Sequence, residues 1–335
     1  MRIAILRNEA GSKIRWPNES ISDESSGECA DSVKDALEKR GHDCFVINVG
    51  SSPGNVIEEI RRYLPDVVFN LCETVGQNSS LEPAIPFLLR WMNIPFTGNS
   101  PEALSVSLNK VFTKRLLRDF DIKTPNFLSL TDDKDLASWE SWPAILKPSF
   151  EDASIGIDNG SVVKNAAAAV KRFSLLKKKF GLPVLIEEYI DGREINVAVL
   201  ETERDLHVGI NEIDFSSVKP GKPRIITYNA KWVKNTKDFR STPIKAPANL
   251  EPSLDWKIRL LARQIFNSFC LSGYARIDFR VDKLGVPWVL EINPNPDISE
   301  TDGGFSNSLP EMGFDYASAI ESIVFLAIKK NEMPS

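Results

Sequence analysis

Gly273-Tyr274-Ala275-Arg276-Ile277-Asp278-Phe279-Arg280-Val281, followed after a short turn by Val289-Leu290-Glu291-Ile292-Asn293-Pro294, decides how this chain is read. Ala275, Ile277, Phe279 and Val281 alternate with Arg276, Asp278 and Arg280. That period of two makes a half-buried strand, apolar side on the core. Asp282-Lys283-Leu284-Gly285 has the chemistry of a hairpin turn. Pairing Val281 with Val286 puts Arg276 opposite Glu291, Asp278 diagonally from it, and Asn293 two residues on along the same face. Asp278, Glu291 and Asn293 offer hard oxygens that suit magnesium, with manganese an alternative, and magnesium usually brings a nucleotide phosphate with it. Arg276 beside them suits a transferring phosphoryl group. The plainer reading is a surface hairpin with solvated charges. Leu290 and Ile292 argue against it, because they mark a core strand with acids at its end.

Size and charge bound the rest. The chain has 335 residues, 42% hydrophobic and 26% charged, enough for two or three domains with a full core. A net charge of -5 gives no general pull toward nucleic acid. Lys177-Lys178-Lys179 reads as a helix end, where cations complement the dipole. Cys29, Cys44, Cys72 and Cys270 lack metal-type spacing and read as reduced core thiols of a cytoplasmic protein. His42 and His207 are the only histidines, so a histidine triad or metal centre is not expected. Met1–Leu6 reads as a first strand rather than a leader. No apolar run reaches membrane-spanning length.

Along the first hundred residues, strand and helix alternate. Strands are expected at Ile3–Leu6, Cys44–Val49 and Asp66–Leu71. Helices are expected at Glu28–Arg40, from Pro53 onward and over Leu81–Met92. This is an open α/β layer with parallel strands. A long polar loop, roughly 8–27, lies between the first strand and helix and is long enough to be functional. Ser100-Pro101-Glu102 opens a capped helix, and a second runs over Leu108–Phe120. A strand–loop–strand–helix–strand module follows: Ala144–Lys147, the loop Pro148–Gly156, Ser161–Val163, Ala166–Phe180 and Pro183–Ile190. The remainder reads as strand-rich to Pro243, then a helix over Leu254–Phe269, the opening hairpin, and a closing helix over Tyr316–Lys329.

Lys147 ends its strand, and Ser149–Gly156 after it is rich in small and polar residues. Small side chains let backbone N–H groups approach a phosphate, and Ser154 adds a hydroxyl. A lone lysine before such a loop is a weak signal. The ordered series Lys110, Lys147, loop, Glu187-Glu188, Glu194, Lys231, Arg276, Asp278, Glu291, Asn293 is a strong one.

On these residues the chain resembles the ATP-grasp superfamily and, within it, the D-alanine–D-alanine ligase family. Matching segments include Asn93–Gly98, Asn109–Lys114, Ile145–Pro148, Leu185–Glu194, Ala230–Trp232 and Arg276–Asn293. The resemblance implies an α+β protein of three domains, with ATP between the central and C-terminal ones. The expected bounds are 1–100, 101–186 and 187–335. It implies that Lys110 and Lys147 grip ATP phosphates, that Ser154 belongs to a flap over them, and that Glu187 accepts from the adenine amino group. Glu188, Tyr189 and Ile190 would complete adenine recognition, Glu194 would hold the ribose, and Lys231 would reach the γ-phosphate. Asp278, Glu291 and Asn293 would bind magnesium, two ions in all, and Arg276 would oppose charge on the acyl phosphate and the tetrahedral intermediate. Losing such a donor typically costs about 3–4 kcal/mol of barrier. A homodimer through the N-terminal domain is also implied.

The chain departs from the family where substrate is held. Its first strand runs into Arg7-Asn8-Glu9-Ala10-Gly11, without the family's glycine-rich turn and ammonium-binding glutamate. Ala153 stands at the family's phosphate-loop serine and Trp232 at its tyrosine, so the family's Glu–Ser–Tyr latch cannot form. Asp297 stands at a glycine of the acceptor pocket. Asp297, with Asp302, would meet a cationic part of an acceptor; a turn-capping role is equally expected. Arg15 and Lys13 would read a substrate carboxylate, although plain solvated charges are the more expected reading of both. The expected function is an ATP-dependent carboxylate–amine ligase for amino acids or peptides that does not prefer D-alanine. The alternatives are a true D-alanine–D-alanine ligase and a non-catalytic ATP-binding regulator.

Overall fold

The computed structural model describes residues 1–9, 21–76, 78–233, 236–301 and 303–332, with the backbone alone for 21–26. Lys13, Arg15 and Asp302 lie outside the described residues. The architecture is α+β, built on three sheets met in succession along the chain.

The first layer comprises β1 (Arg2–Asn8), α1 (Ile21–Lys39), β2 (Asp43–Val49), α2 (Pro53–Tyr63), β3 (Val67–Asn70) and α3 (Ala84–Trp91). Its strands run parallel in the order β2-β1-β3. Ile3, Ala4, Ile5 and Leu6 of the central strand are all buried, as they must be when both sheet faces are covered. α1 begins at Ile21, which corrects the expected loop to Gly27. Its apolar stripe starts only at Cys29 and Ala30; before that only Ile21 is apolar, so periodicity has nothing to register.

The central module follows: α4 (Pro101–Leu108), α5 (Lys110–Asp119), β4 (Phe127–Leu130), β5 (Ala144–Pro148), β6 (Val162–Val163), α6 (Ala166–Phe180) and β7 (Val184–Glu188). Its sheet is antiparallel, in the order β4-β7-β5-β6. The Ser100 and Asn109 side chains accept from the amides of Ala103 and Phe112 and so start α4 and α5. Phe173 and Leu176 of α6 share a buried cluster with Leu146 and Ile186.

The third sheet is assembled from β8 (Gly192–Glu201), β9 (Leu206–Ile213), β10 (Ile244–Lys245), β11 (Tyr274–Asp282) and β12 (Pro287–Asn293), in the order β10-β9-β8-β11-β12. The stretch from about 191 to Pro243, expected to be strand-rich, is so through β8 and β9, but after Ile213 it holds α7 (Tyr228–Trp232) and α8 (Lys237–Arg240). Thr227 and Thr236 cap them, and Pro220, Gly221 and Pro223 break any strand ahead of them. α9 (Pro252–Ser268) backs the sheet, and α10 (Leu309–Met312) and α11 (Tyr316–Glu332) close the chain.

The hairpin register differs from the expected one. Val281 pairs with Pro287, not Val286, because the Asp282 carboxylate accepts from the amides of Leu284 and Val286 and widens the turn. A bulge then leaves Leu290 unpaired between Val289 and Glu291. The two shifts together put Asp278 opposite Glu291 and Arg276 opposite Asn293. The four residues stay on one face, with Asp278 and Glu291 as direct cross-strand partners.

The first and third sheets share a core. Ile3, Ile5 and Phe69 cluster with Ala198, Leu200, Tyr274, Ile298 and Phe305. Asn99 bolts the joint: its amide nitrogen donates to the carbonyls of Tyr274 (2.8 Å) and Pro294 (2.6 Å), and its oxygen accepts from Ser272 N (2.7 Å). Among the described residues no helix is long and apolar enough to cross a membrane. Cys29, Cys44 and Cys72 are buried free thiols, but Cys270 is exposed, contrary to expectation. It closes α9 with a φ of 51° and its amide donates to Asn267 O, which turns it off the core.

Candidate active site

A cavity of about 600 Å³ opens between the central and third sheets. Lys147, Glu187, Glu188, Tyr189 and Ile190 line one end. Arg276, Asp278, Glu291 and Asn293 of β11 and β12 form its floor, and Glu194, Ser154, Lys231 and Asp297 line it as well.

On the floor, each carboxylate already has a cation. Arg276 grips Asp278 with two parallel bonds, Nε to Oδ1 at 2.8 Å and Nη2 to Oδ2 at 2.9 Å. Asp278 also accepts from Asn196 (2.7 Å) and Asn293 (3.1 Å). Lys110 Nζ lies 2.6 Å from both Glu291 Oε1 and Asp152 Oδ1. Burial alone would lower the Lys110 ammonium, but Asp152 and Glu291 overcome it and hold it well above the ordinary lysine range. Burial likewise would raise Glu291, but Lys110 and Lys147 hold it well below the usual carboxylate range. Glu291 is therefore held as the carboxylate, and the floor sets two carboxyl groups and an amide against an arginine and a lysine.

At the other end, Glu187 is sealed from water between Lys147 Nζ (2.7 Å) and Lys114 Nζ (3.3 Å). Burial pushes its carboxyl up, and the two lysines more than reverse this. Burial lowers Lys114 to about 8, with Glu187 opposing the shift in part. The amides of Glu188 and Tyr189 donate to Asn126 O and Pro143 O. Glu194 pairs with Arg280 Nη2 at 2.7 Å, and burial raises its carboxyl despite that partner. Arg280 also donates to the carbonyls of Gly192 and Arg224.

The loop after β5 reaches over the cavity. Ala153 and Ser154 are consecutive left-handed residues, at φ 54° and 60°. The Trp232 indole N–H donates to Ala153 O at 2.8 Å. Lys231 Nζ lies 5.0 Å from the centre of the Trp232 ring. Burial lowers the Lys231 ammonium, and Arg276 lowers it further.

The expected nucleotide and metal residues thus converge, with one exception of placement. Lys110 is held beneath the floor by Asp152 and Glu291 and does not line the cavity. Asp297 lines the cavity and also accepts from the amide (2.9 Å) and hydroxyl (2.6 Å) of Ser299, so it does cap a turn. Asn196, Arg280 and Lys114 had no role in the sequence reading. Asn196 and Arg280 carried a signal: Glu194-Ile195-Asn196-Val197 alternates like the β11 segment, and Arg280 shares the parity of Arg276 and Asp278. Lys114 carried none, because its partners come from distant parts of the chain.

Among the described residues no three His, Cys, Asp or Glu side chains converge as a metal cage. Two opposed carboxylates and an amide oxygen fit magnesium only if phosphate oxygens complete the shell, which is the usual way this ion is held beside a nucleotide. A half-turn of the Asn293 amide exchanges its nitrogen for its oxygen.

The D-ala D-ala ligase C-terminus family matches residues 116–325. The chain belongs to the D-alanine–D-alanine ligase family. A D-alanine–D-alanine ligase from Bordetella petrii is 30% identical to it, over 90% of this chain and 87% of the relative. An uncharacterized protein, y4sG, from Sinorhizobium fredii is 28% identical over 98% of each. The crystal structure of D-alanine–D-alanine ligase from Bacillus anthracis complexed with ATP superposes with a TM-score of 0.73 at 18% identity, covering 99% of both chains. That likeness shows the fold, the ATP-grasp fold of the family.

Proposed function

We propose that the protein is an ATP-dependent carboxylate–amine ligase that joins amino-acid or small-peptide substrates. The observation that carries this reading is the floor: Arg276, Asp278, Glu291 and Asn293 on one face of β11 and β12, at the base of the cavity that Glu187 and Glu194 also line. A non-catalytic nucleotide binder has less need of this full set.

A carboxylate is a poor electrophile because oxide is a poor leaving group. Transfer of the γ-phosphoryl of ATP to the donor acid makes phosphate the leaving group, and an amine then displaces it to form the amide. Lys147 and Lys231 supply charge to the phosphates, Glu187 and Glu194 hold the base and sugar, and Asp278, Glu291 and Asn293 would hold the cation. That cation, when bound, screens the repulsion between the phosphates and the donor carboxylate. Lys110 reaches the phosphates only by leaving Asp152 or Glu291. Arg276, fixed by Asp278, opposes the oxyanion of the addition step.

D-Alanine is not the preferred substrate in this reading. Asp297, Trp232 and Ala153 line or cover the substrate side of the cavity where the family is expected to carry other residues. The acids are small molecules and the acceptor a cationic or amine-bearing one. Phosphate release across paired panels of D- and L-amino acids tests the proposal. Release that requires two substrates and leaves an amide product supports it. Efficient D-alanyl-D-alanine synthesis from D-alanine alone overturns the specificity, and tight ATP binding with no release for any pair overturns the ligase.

A further inference from the structure

The described residues offer several places beyond the site itself. Phe87 and Trp91 leave an exposed apolar pair on α3, and Trp256 and Leu260 another on α9, but nothing in the structure shows what covers either. One buried acid of the amino-terminal layer carries more. Glu82 stands between the short helical turn Ser79–Leu81 and α3. It is 6% exposed and does not line the cavity. Glutamates are seldom buried without a cation, and among the described residues none pairs with this one. Burial, with Asp152 and Glu73 nearby, pushes its carboxyl well above the usual carboxylate range. Its Oε1 accepts instead from Asn295 Nδ2, at 3.2 Å.

The Asn295 side chain is held on both sides. Its nitrogen also donates to Cys72 O at 3.1 Å, and its oxygen accepts from the Tyr274 hydroxyl at 3.4 Å. An amide nitrogen has two hydrogens, and Glu82 and Cys72 use both. A half-turn of the amide would set its oxygen against the Cys72 carbonyl, so the side chain has one orientation. Prolines flank it, Pro294 and Pro296, and neither has an N–H for a ladder. β12 ends at Asn293, which its pairing with Arg276 holds. Beyond that point side chains of the amino-terminal part fix the chain: Asn99 donates to Pro294 O at 2.6 Å, and Glu82 takes Asn295. Two residues further on stands Asp297, which lines the cavity. Two residues span at most about 7 Å, so an error at Asn295 is passed on to Asp297.

We propose that Glu82 is a positioning residue for the acceptor amine: through Asn295 it sets the course of residues 294–297 and so the place of Asp297. The inference rests on the ligase reading for its effect on turnover but not for its geometry. A single neutral hydrogen bond adds little to stability; what this one adds is direction. Glu187 and Lys147, at the nucleotide end, stand on β7 and β5 and share no contact with the tie. Loss of the tie should therefore be felt by the acceptor and not by ATP.

Two substitutions in the full-length protein test this. Glu82→Leu removes the acceptor oxygen, and Glu82→Gln keeps one. In Glu82→Leu, amides of residues 295–301 should exchange with solvent about fivefold faster than in the wild type, the loss expected for one hydrogen bond. Peptides from β8 and β11 should be unchanged. The KM for the acceptor amine should rise about fivefold, with kcat and the ATP dissociation constant unchanged within about twofold. Glu82→Gln should restore both the slow exchange and the wild-type KM. Asn295→Ala breaks the same tie from the other side and takes the place of Glu82→Leu if that variant does not fold. Unchanged exchange over 295–301 overturns the tie. Faster exchange with an unchanged acceptor KM overturns the positioning, and so does an equal loss of ATP affinity, which a general loosening would give. A wild type that forms no amide with any pair sinks the ligase reading, while the exchange rates still decide the tie.

Discussion

Lys114 Nζ lies 3.3 Å from Glu187 Oε2, and both side chains are almost wholly withdrawn from water. Lys114 also donates to Thr124 Oγ1 (2.9 Å) and to the carbonyl of the bulged Leu290 (3.3 Å). It joins α5, the chain before β4, β7 and β12 through one ammonium. Removing it leaves a buried carboxylate with one cation instead of two. Lys114→Met should therefore lose about 3 kcal/mol of stability in urea unfolding at pH 7. Lys114→Met/Glu187→Gln should recover part of that loss, and a double variant no more stable than the single would count against the pair.

The same lysine predicts a pH dependence. Its folded pKa is near 8 and its ordinary value is 10.5. Between those values the unfolded chain holds a proton that the folded one has released. Stability then rises with pH across that window. The urea midpoint of the wild type should climb from about pH 8 to about pH 10.5 relative to Lys114→Met, measured in parallel. A constant difference between the two would show that Lys114 does not titrate there.

The floor predicts cooperative binding of cation and nucleotide. Magnesium alone finds only two carboxylates already paired with Arg276 and Lys110. It should leave the melting temperature unchanged without nucleotide and raise it when ATP is present. Glu291→Gln should abolish the magnesium-dependent part of the shift. A magnesium-induced rise of similar size in the absence of ATP would contradict this account.

Arg276 is held by two bonds to Asp278 and can donate to a developing oxyanion without reorganising. Arg276→Gln should lower kcat by about 100- to 1000-fold. ATP affinity, measured by calorimetry, should change far less. Equal losses in both would place Arg276 in ground-state binding.

Asp297→Asn removes charge but keeps an oxygen for the Ser299 amide. The turn should survive, and the KM for a cationic acceptor should rise about tenfold with little change in kcat. An unchanged KM for every amine accepted would confine Asp297 to capping.

Much of this arrangement could be read in the residues. β11 and β12 were legible because their alternation is strict, and α6 because Asn165 caps it and Gly181 stops it. The register was not, because a wider turn and a bulge each move it by one place, and neither leaves a mark in hydrophobic periodicity. The start of α1 was hidden because its first turns carry no apolar stripe. Lys114 was hidden for a different reason. Its partners Glu187 and Leu290 come from elsewhere in the chain, and a single sequence records no such meeting.

Asn99 and the shared core have a consequence for how the cleft opens. The amino-terminal layer and the strands that bear Asp278, Glu291 and Asn293 are welded into one base. The four-stranded sheet packs a separate cluster of its own. Admission of nucleotide then falls to that smaller part, swinging as a jaw against a fixed anvil. Its travel must break the Lys114–Glu187 contact or carry α5 along with it.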